Sequence, residues 1–108
     1  MAKYAILIYA PAPADWQDAP GEELQAHGEF AGKVTELGGE LITGYALQSA
    51  TTAKSARADG VADGPLIDAA DVLGGVTIIE ARDADHALEI ARHNPATWRG
   101  GIEVRPLL

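Results

Sequence analysis

Of the 108 residues in this chain, the side chains best suited to move a proton near neutrality are its histidines, and His27 stands apart from the other two. It falls on the apolar stripe that Leu24, Ala31 and Val34 trace along a predicted helix, with Phe30 and Leu37 flanking. A histidine facing a core must hydrogen-bond through both ring nitrogens or leave a polar atom unsatisfied, and its pKa becomes sensitive to the nearest carboxylate. His27 is therefore either a satisfied structural side chain or a general acid or base. The second candidate is Asp63, which opens an Asp63-Gly64-Pro65 corner. Aspartate accepts hydrogen bonds from its own turn backbone, and the same carboxylate at a pocket mouth would orient a histidine or hold its charge. A His27–Asp63 contact of about 3 Å would support acid–base chemistry on a small molecule. Tyr4, Phe30 and Tyr45, with Trp98, are the aromatic residues expected to wall such a pocket.

Other chemistries find less support. His27, His86 and His93 show no metal-ligand spacing, and the last two lie at opposite ends of one predicted helix. The acidic stretch from Asp59 places Asp63 and Gly64 at the fifth and sixth positions of a calcium loop. Val61 and Ala70 then occupy its third and twelfth, where ligands belong. No metal is expected. The glycine pairs 38-39, 74-75 and 100-101 lack a nucleotide-binding context and sit at element boundaries, so no cofactor is expected either. Ser49 and Ser55 have no neighbouring base that would make a nucleophile. With no cysteine, thiol catalysis, thiolate zinc and a disulfide framework all fall away.

The elements that must position His27 and Asp63 follow from periodicity. Tyr4 to Ala10 is apolar on both alternating sets, Tyr4/Ile6/Ile8 and Ala5/Leu7/Tyr9, as in a strand covered on both faces. A proline-rich loop through Asp18 and Pro20 leads to a helix from Glu22 to Leu37, which Gly38-Gly39 ends. Gly28 and Gly32 within it suggest close approach by another backbone or a ligand. Glu40 to Leu47 and Thr51 to Arg57 read as strands, with Asp-Gly turns at Asp59 and Asp63 after them. Leu66 to Val72 reads as a helical turn. Gly75 to Arg82 is a strand, and Asp83 caps a helix whose face is Ala84, Ala87, Leu88 and Ala91. Asn94-Pro95 stops that helix, and Gly101 to Leu108 is a closing strand with Pro106 near an edge. This order predicts one α+β domain over residues 1–108, a split β-α-β sandwich of ferredoxin-like type with an antiparallel sheet. Both helices should cover one sheet face, leaving an apolar second face for a second copy, so a homodimer is expected.

Composition narrows the partners. A net charge of −8 with only eight Lys and Arg, scattered along the chain, argues against nucleic acid, which needs clustered cations. No apolar run reaches the roughly 20 residues of a membrane helix. The opening MAKYAILIYAPAPA has a lysine and a short apolar stretch, like a signal peptide, yet is rich in strand formers; a first strand and a cytoplasmic protein are expected.

The stretch DGPLIDAADVLGGVTIIEA, Asp63 to Ala81, resembles the YCII-related family, and in particular its DGPF-type branch, whose signature is roughly D-G-P-F-x-E-x-K-E-x-x-x-G before a strand. DADHALEIARHNP and GGIEVRPL are similar to that branch too, and the likeness spans nearly the whole chain. The resemblance implies ferredoxin-like subunits paired into a dimeric α/β barrel. It implies a histidine of the first helix and an aspartate as an acid–base dyad, roles that fall on His27 and Asp63. One degradative relative removes chloride from a chlorinated hydroquinone, while other members are associated with sigma factors of the extracytoplasmic-function type. The resemblance thus leaves two functions open: a small-molecule enzyme, or a non-catalytic ligand-binding or regulatory dimer. This chain departs from the signature at Leu66, Asp68 and Ala70-Asp71, where the branch has Phe, Glu and Lys-Glu. Without that lysine, a cation able to pair with an anionic ligand or with Asp63 is missing.

Overall fold

The computed structural model describes residues 1–108 and begins with the doubly apolar strand. In β1 (Ala2–Pro11), one alternating set, Tyr4, Ile6 and Ile8, enters the main core, while Leu7 and Tyr9 of the other set stay half-buried. A 3₁₀ turn, Trp16–Asp18, capped by the Asp15 side chain accepting from the Gln17 amide, leads to α1 (Gly21–Glu36). Glu22 and Glu23 occupy its first turn, where negative charge suits the helix dipole. Gly38 ends it at φ 86°, a left-handed conformation that glycine adopts without penalty.

β2 (Glu40–Ala46) pairs antiparallel with β5 (Asp71–Ala81), and β5 pairs antiparallel with β1. After α2 (Ala84–Ala91) and a 3₁₀ turn over Pro95–Trp98, the last strand, β6 (Gly101–Pro106), joins the free side of β1. The sheet order β2-β5-β1-β6 is the ferredoxin-like α+β arrangement that the element order predicts. β3 (Lys54–Arg57) and β4 (Gly60–Asp63) form a separate two-stranded hairpin.

Tyr4, Ile6 and Ile79 from the sheet pack with Phe30 and Val34 of α1 and Ala87, Ile90 and Ala91 of α2, so both helices lie on one face. The opposite face carries Leu7, Tyr9, Leu73, Val76, Ile78 and Tyr45 with no layer of this chain over them. The molecule is correspondingly thin, 43 × 35 × 19 Å. No helix is long and apolar enough to cross a membrane.

Several expectations need correction. The segment Thr51 to Arg57 is not one strand: Ser49 accepts from the Thr51 amide and caps a 3₁₀ turn over Ala50–Thr52, and only Lys54 onward is extended. The Asp59-Gly60 turn then folds the chain back into β4, where turns alone are expected. Leu66 to Val72 holds no helical turn, because β5 starts at Asp71 against Pro11 and the Ala12 amide donates to Ala70 O at 2.8 Å. The inward face of α2 is His86, Ala87, Ile90 and Ala91, and Leu88 is exposed. Gly28 and Gly32 meet nothing: a Cβ at either would find open space.

Candidate active site beneath the first helix

Two neighbouring strands bring small residues into line. On the helix-facing side of the sheet, Ala46 of β2 lies opposite Gly75 of β5, which lies opposite Ile8 of β1; in the next row Gly44 faces Thr77, which faces Ile6. Alternation places all of these side chains on one face, and the bulge after Leu41 keeps Leu41 on that face too. Gly75 has no room for a side chain, since a Cβ there would meet Tyr45 O at 3.0 Å. Where Gly44, Ala46 and Gly75 supply almost no volume, α1 cannot close on the sheet, and a cavity of about 440 Å³ remains.

Leu24, His27, Phe30 and Ala31 of α1 roof this cavity, and Trp16 closes one end. The indole is seated at a second bulge. Between the Ile8–Gly75 and Tyr9–Leu73 pairs the register shifts, leaving Gly74 unpaired, and Trp16 Nε1 donates to Gly74 O at 3.1 Å. The indole meets the His27 ring edge to face, with centroids 5.0 Å apart and planes at 78°, a favoured aromatic geometry.

His27 is half-buried, and its Nε2 is sealed from solvent without a hydrogen-bond partner in the protein. Burial holds its pKa below the usual histidine value; the Glu23 carboxylate opposes this, and the Arg99 guanidinium reinforces it. Burial thus favours the neutral form of the ring. One turn earlier on the same face, Glu23 is only 2% exposed. Arg99 grips it in a fork, Nε to Oε1 and Nη2 to Oε2, both at 2.8 Å. These bonds hold the Glu23 carboxyl below the usual carboxylate range and raise Arg99 further above its own.

His27, Phe30 and Tyr45 therefore border one cavity, Tyr45 through its backbone edge, because its side chain alternates to the far face and is 68% exposed. Tyr4 and Asp63 are elsewhere. Tyr4 is packed into the main core. Asp63 sits at the exposed end of the β3–β4 hairpin, opposite Lys54, whose Nζ lies 2.7 Å from Asp63 Oδ1. Gly64 follows at φ 98° and its amide donates to Ala53 O, so the Asp-Gly-Pro corner folds the hairpin back on its own base. Within one chain, the carboxylate beside His27 is Glu23, not Asp63. Trp98 is exposed, away from the cavity.

Sequence reasoning missed Glu23, Arg99, Trp16 and the glycine row. Glu23 was within reach, being four residues before His27 and seven before Phe30 on a helical period. Arg99, 76 residues downstream, carried no signal. No group of three histidine, aspartate or glutamate side chains converges to hold a metal ion. The second buried histidine, His86, is fully engaged: Nδ1 accepts from the Arg82 amide at 3.0 Å and Nε2 donates to Leu37 O at 2.7 Å. A family model, that of the YCII-related domain, matches residues 2–108. No curated protein matches the chain.

Proposed function

The chain belongs to the YCII-related family, and we propose that its cavity beneath α1 binds a small, largely apolar, uncharged molecule whose polar group engages His27. One observation carries this reading: a cavity of about 440 Å³ lined mostly by hydrophobic residues, in which His27 is the only side chain that titrates near neutrality. Cavities of that size suit small molecules, with a few polar groups fixing orientation. No free cation lines it, so a carboxylate or phosphate on the ligand would go uncompensated there. If the ligand reacts, neutral His27 is the base.

A second reading, a non-catalytic binding dimer or one that engages a regulatory partner, draws support from the carboxylates. Both Glu23 oxygens are taken by Arg99 and Asp63 is paired with Lys54, so no acid within the chain orients His27 as a catalytic dyad would require. A homodimer fits either reading: Leu7, Tyr9, Val76 and Tyr45 share the uncovered sheet face, and Leu41, Ile42 and Tyr45 are exposed on the edge strand β2, with Leu47 exposed just past its end. A DGPF-type assignment and a cytoplasmic setting accompany the proposal.

The test is binding of phenol, benzyl alcohol and benzoate, followed by saturation-transfer NMR on the intact protein and on Ala46→Leu, whose side chain fills the cavity. Phenol and benzyl alcohol should bind the wild type, benzoate at least tenfold more weakly, and Ala46→Leu should bind none. Equal binding to Ala46→Leu contradicts the assignment. His27→Ala should weaken phenol and benzyl alcohol binding, because their hydroxyl loses its partner, and unchanged affinity removes His27 from the site.

A further inference from the structure

We infer that Arg99 is a positioning residue for His27: by taking both oxygens of Glu23 in a fork, it denies the imidazole the carboxylate one turn before it on the same helix face and keeps the ring uncharged and unpaired. The inference rests on the reading of that cavity as a ligand site.

Three observations converge on it. Glu23 and His27 are four apart on α1, a spacing at which helical side chains are neighbours and at which a free carboxylate would pair with an imidazole. Yet His27 Nε2 is sealed with no partner, while Glu23, just as sheltered, gives both oxygens to a residue of the segment between the Pro95–Trp98 turn and β6. A guanidinium suits this diversion, because its planar fork satisfies both oxygens of a carboxylate at once, which a single ammonium cannot. The surroundings of His27 offer nothing else to charge it. From β5 comes the Thr77 hydroxyl, from β2 the Gly44–Ala46 edge, and from the Trp16 turn an indole. Glu23 on its own helix and Arg99 opposite are the charged groups that act on the ring, with contrary signs. Arg99 thus works twice, occupying Glu23 and adding its own positive field, and a ligand meets a neutral imidazole.

The experiment is an NMR titration of the His27 imidazole Cε1–H in the full chain, assigned with His86→Gln and His93→Gln. Arg99→Gln should raise the midpoint by about one unit, a tenfold higher ratio of charged to neutral ring at a given pH, as Glu23 turns to the imidazole. Glu23→Gln should lower it, since the attraction goes and the Arg99 charge stays. A merely structural ion pair predicts otherwise. Loosening α1 would hydrate the ring and move both variants upward toward free histidine. Opposite shifts therefore support the inference, and parallel shifts or none overturn it. If Arg99→Gln does not fold, Glu23→Gln decides by the sign of its shift alone, and Arg99→Lys, able to hold one oxygen only, should titrate above wild type. Phenol binding is measured separately: its absence in the wild type removes the ligand-site reading and leaves the titration intact, whereas parallel shifts with phenol bound remove only the role of Arg99.

Discussion

His27 and His86 are the same side chain put to opposite uses. His86 spends both ring nitrogens on backbone groups, bridging the start of α2 to the end of α1. His27 spends neither on the protein's hydrogen-bond network, and its Nε2 stays sealed and unpaired while the residue lines a cavity. Replacing His86 with alanine should orphan the Arg82 amide and the Leu37 carbonyl, at about 1–3 kcal/mol for each buried group left unsatisfied; urea unfolding would show the loss, with the larger part recovered in His86→Gln. For His27 the prediction concerns pH. Its folded pKa lies below the ordinary 6.5, so between those values the unfolded chain holds the extra proton and stability rises with pH. The contribution is complete above 6.5 and disappears as pH falls through the folded value. The urea midpoint should therefore drop between pH 7 and pH 5 in the wild type and drop less in His27→Gln. Glu23 adds a second loss at lower pH, below its ordinary 4.5, because its carboxyl too is depressed in the fold. Sequence made His27 visible through helical spacing, and made Asp63 prominent through its turn. It could not show that the hairpin register sets Asp63 against Lys54, because that pairing depends on a four-residue strand with little periodicity of its own.

At the level of elements, the cavity exists because two strands run out of side chains under a helix. β1 and β5 were legible as strands from their apolar runs, and α1 from its stripe, since burial on a regular period leaves a regular trace. The bulges at Ile42 and Gly74 leave no such trace, yet they set the cavity's edges by keeping Leu41 inward and seating Trp16. The glycines 74 and 75 look like turn formers in sequence and Gly44 like an ordinary strand position, and in the sheet all three serve as missing volume. Gly74→Val tests this. A Cβ there would lie 3.1 Å from Trp16 Cζ2, so the larger side chain should dislodge the indole. Tryptophan emission should shift to the red against the constant background of Trp98, which is already 60% exposed, and phenol affinity should fall at least tenfold. Unchanged emission would mean that Trp16 is not held by the bulge.

The whole molecule is two layers deep, with helices on one side of the sheet and nothing of this chain on the other. That asymmetry was readable in β1, whose alternating sets are both apolar, because an outer strand face washed by water would carry polar residues. Half of the pattern is answered by α1 and α2. A second copy on the other half is the expected answer, and light scattering at micromolar concentration should give twice the 11.3 kDa chain mass. With eight net negative charges on each copy, association should tighten as salt screens their repulsion. A monomer at every salt concentration, or a dimer unaffected by Tyr45→Lys on the uncovered face, would contradict this.

The cavity reading requires an uncharged small molecule to occupy the space between His27 and the glycine row. Titrating phenol into isotopically labelled protein, with chemical-shift changes mapped residue by residue, addresses it most directly. The largest saturable changes should fall on His27, Ala31, Gly44 and Thr77, with the Trp16 indole N–H moving in step. Changes centred on the β3–β4 hairpin around Asp63, or none that saturate, would contradict it.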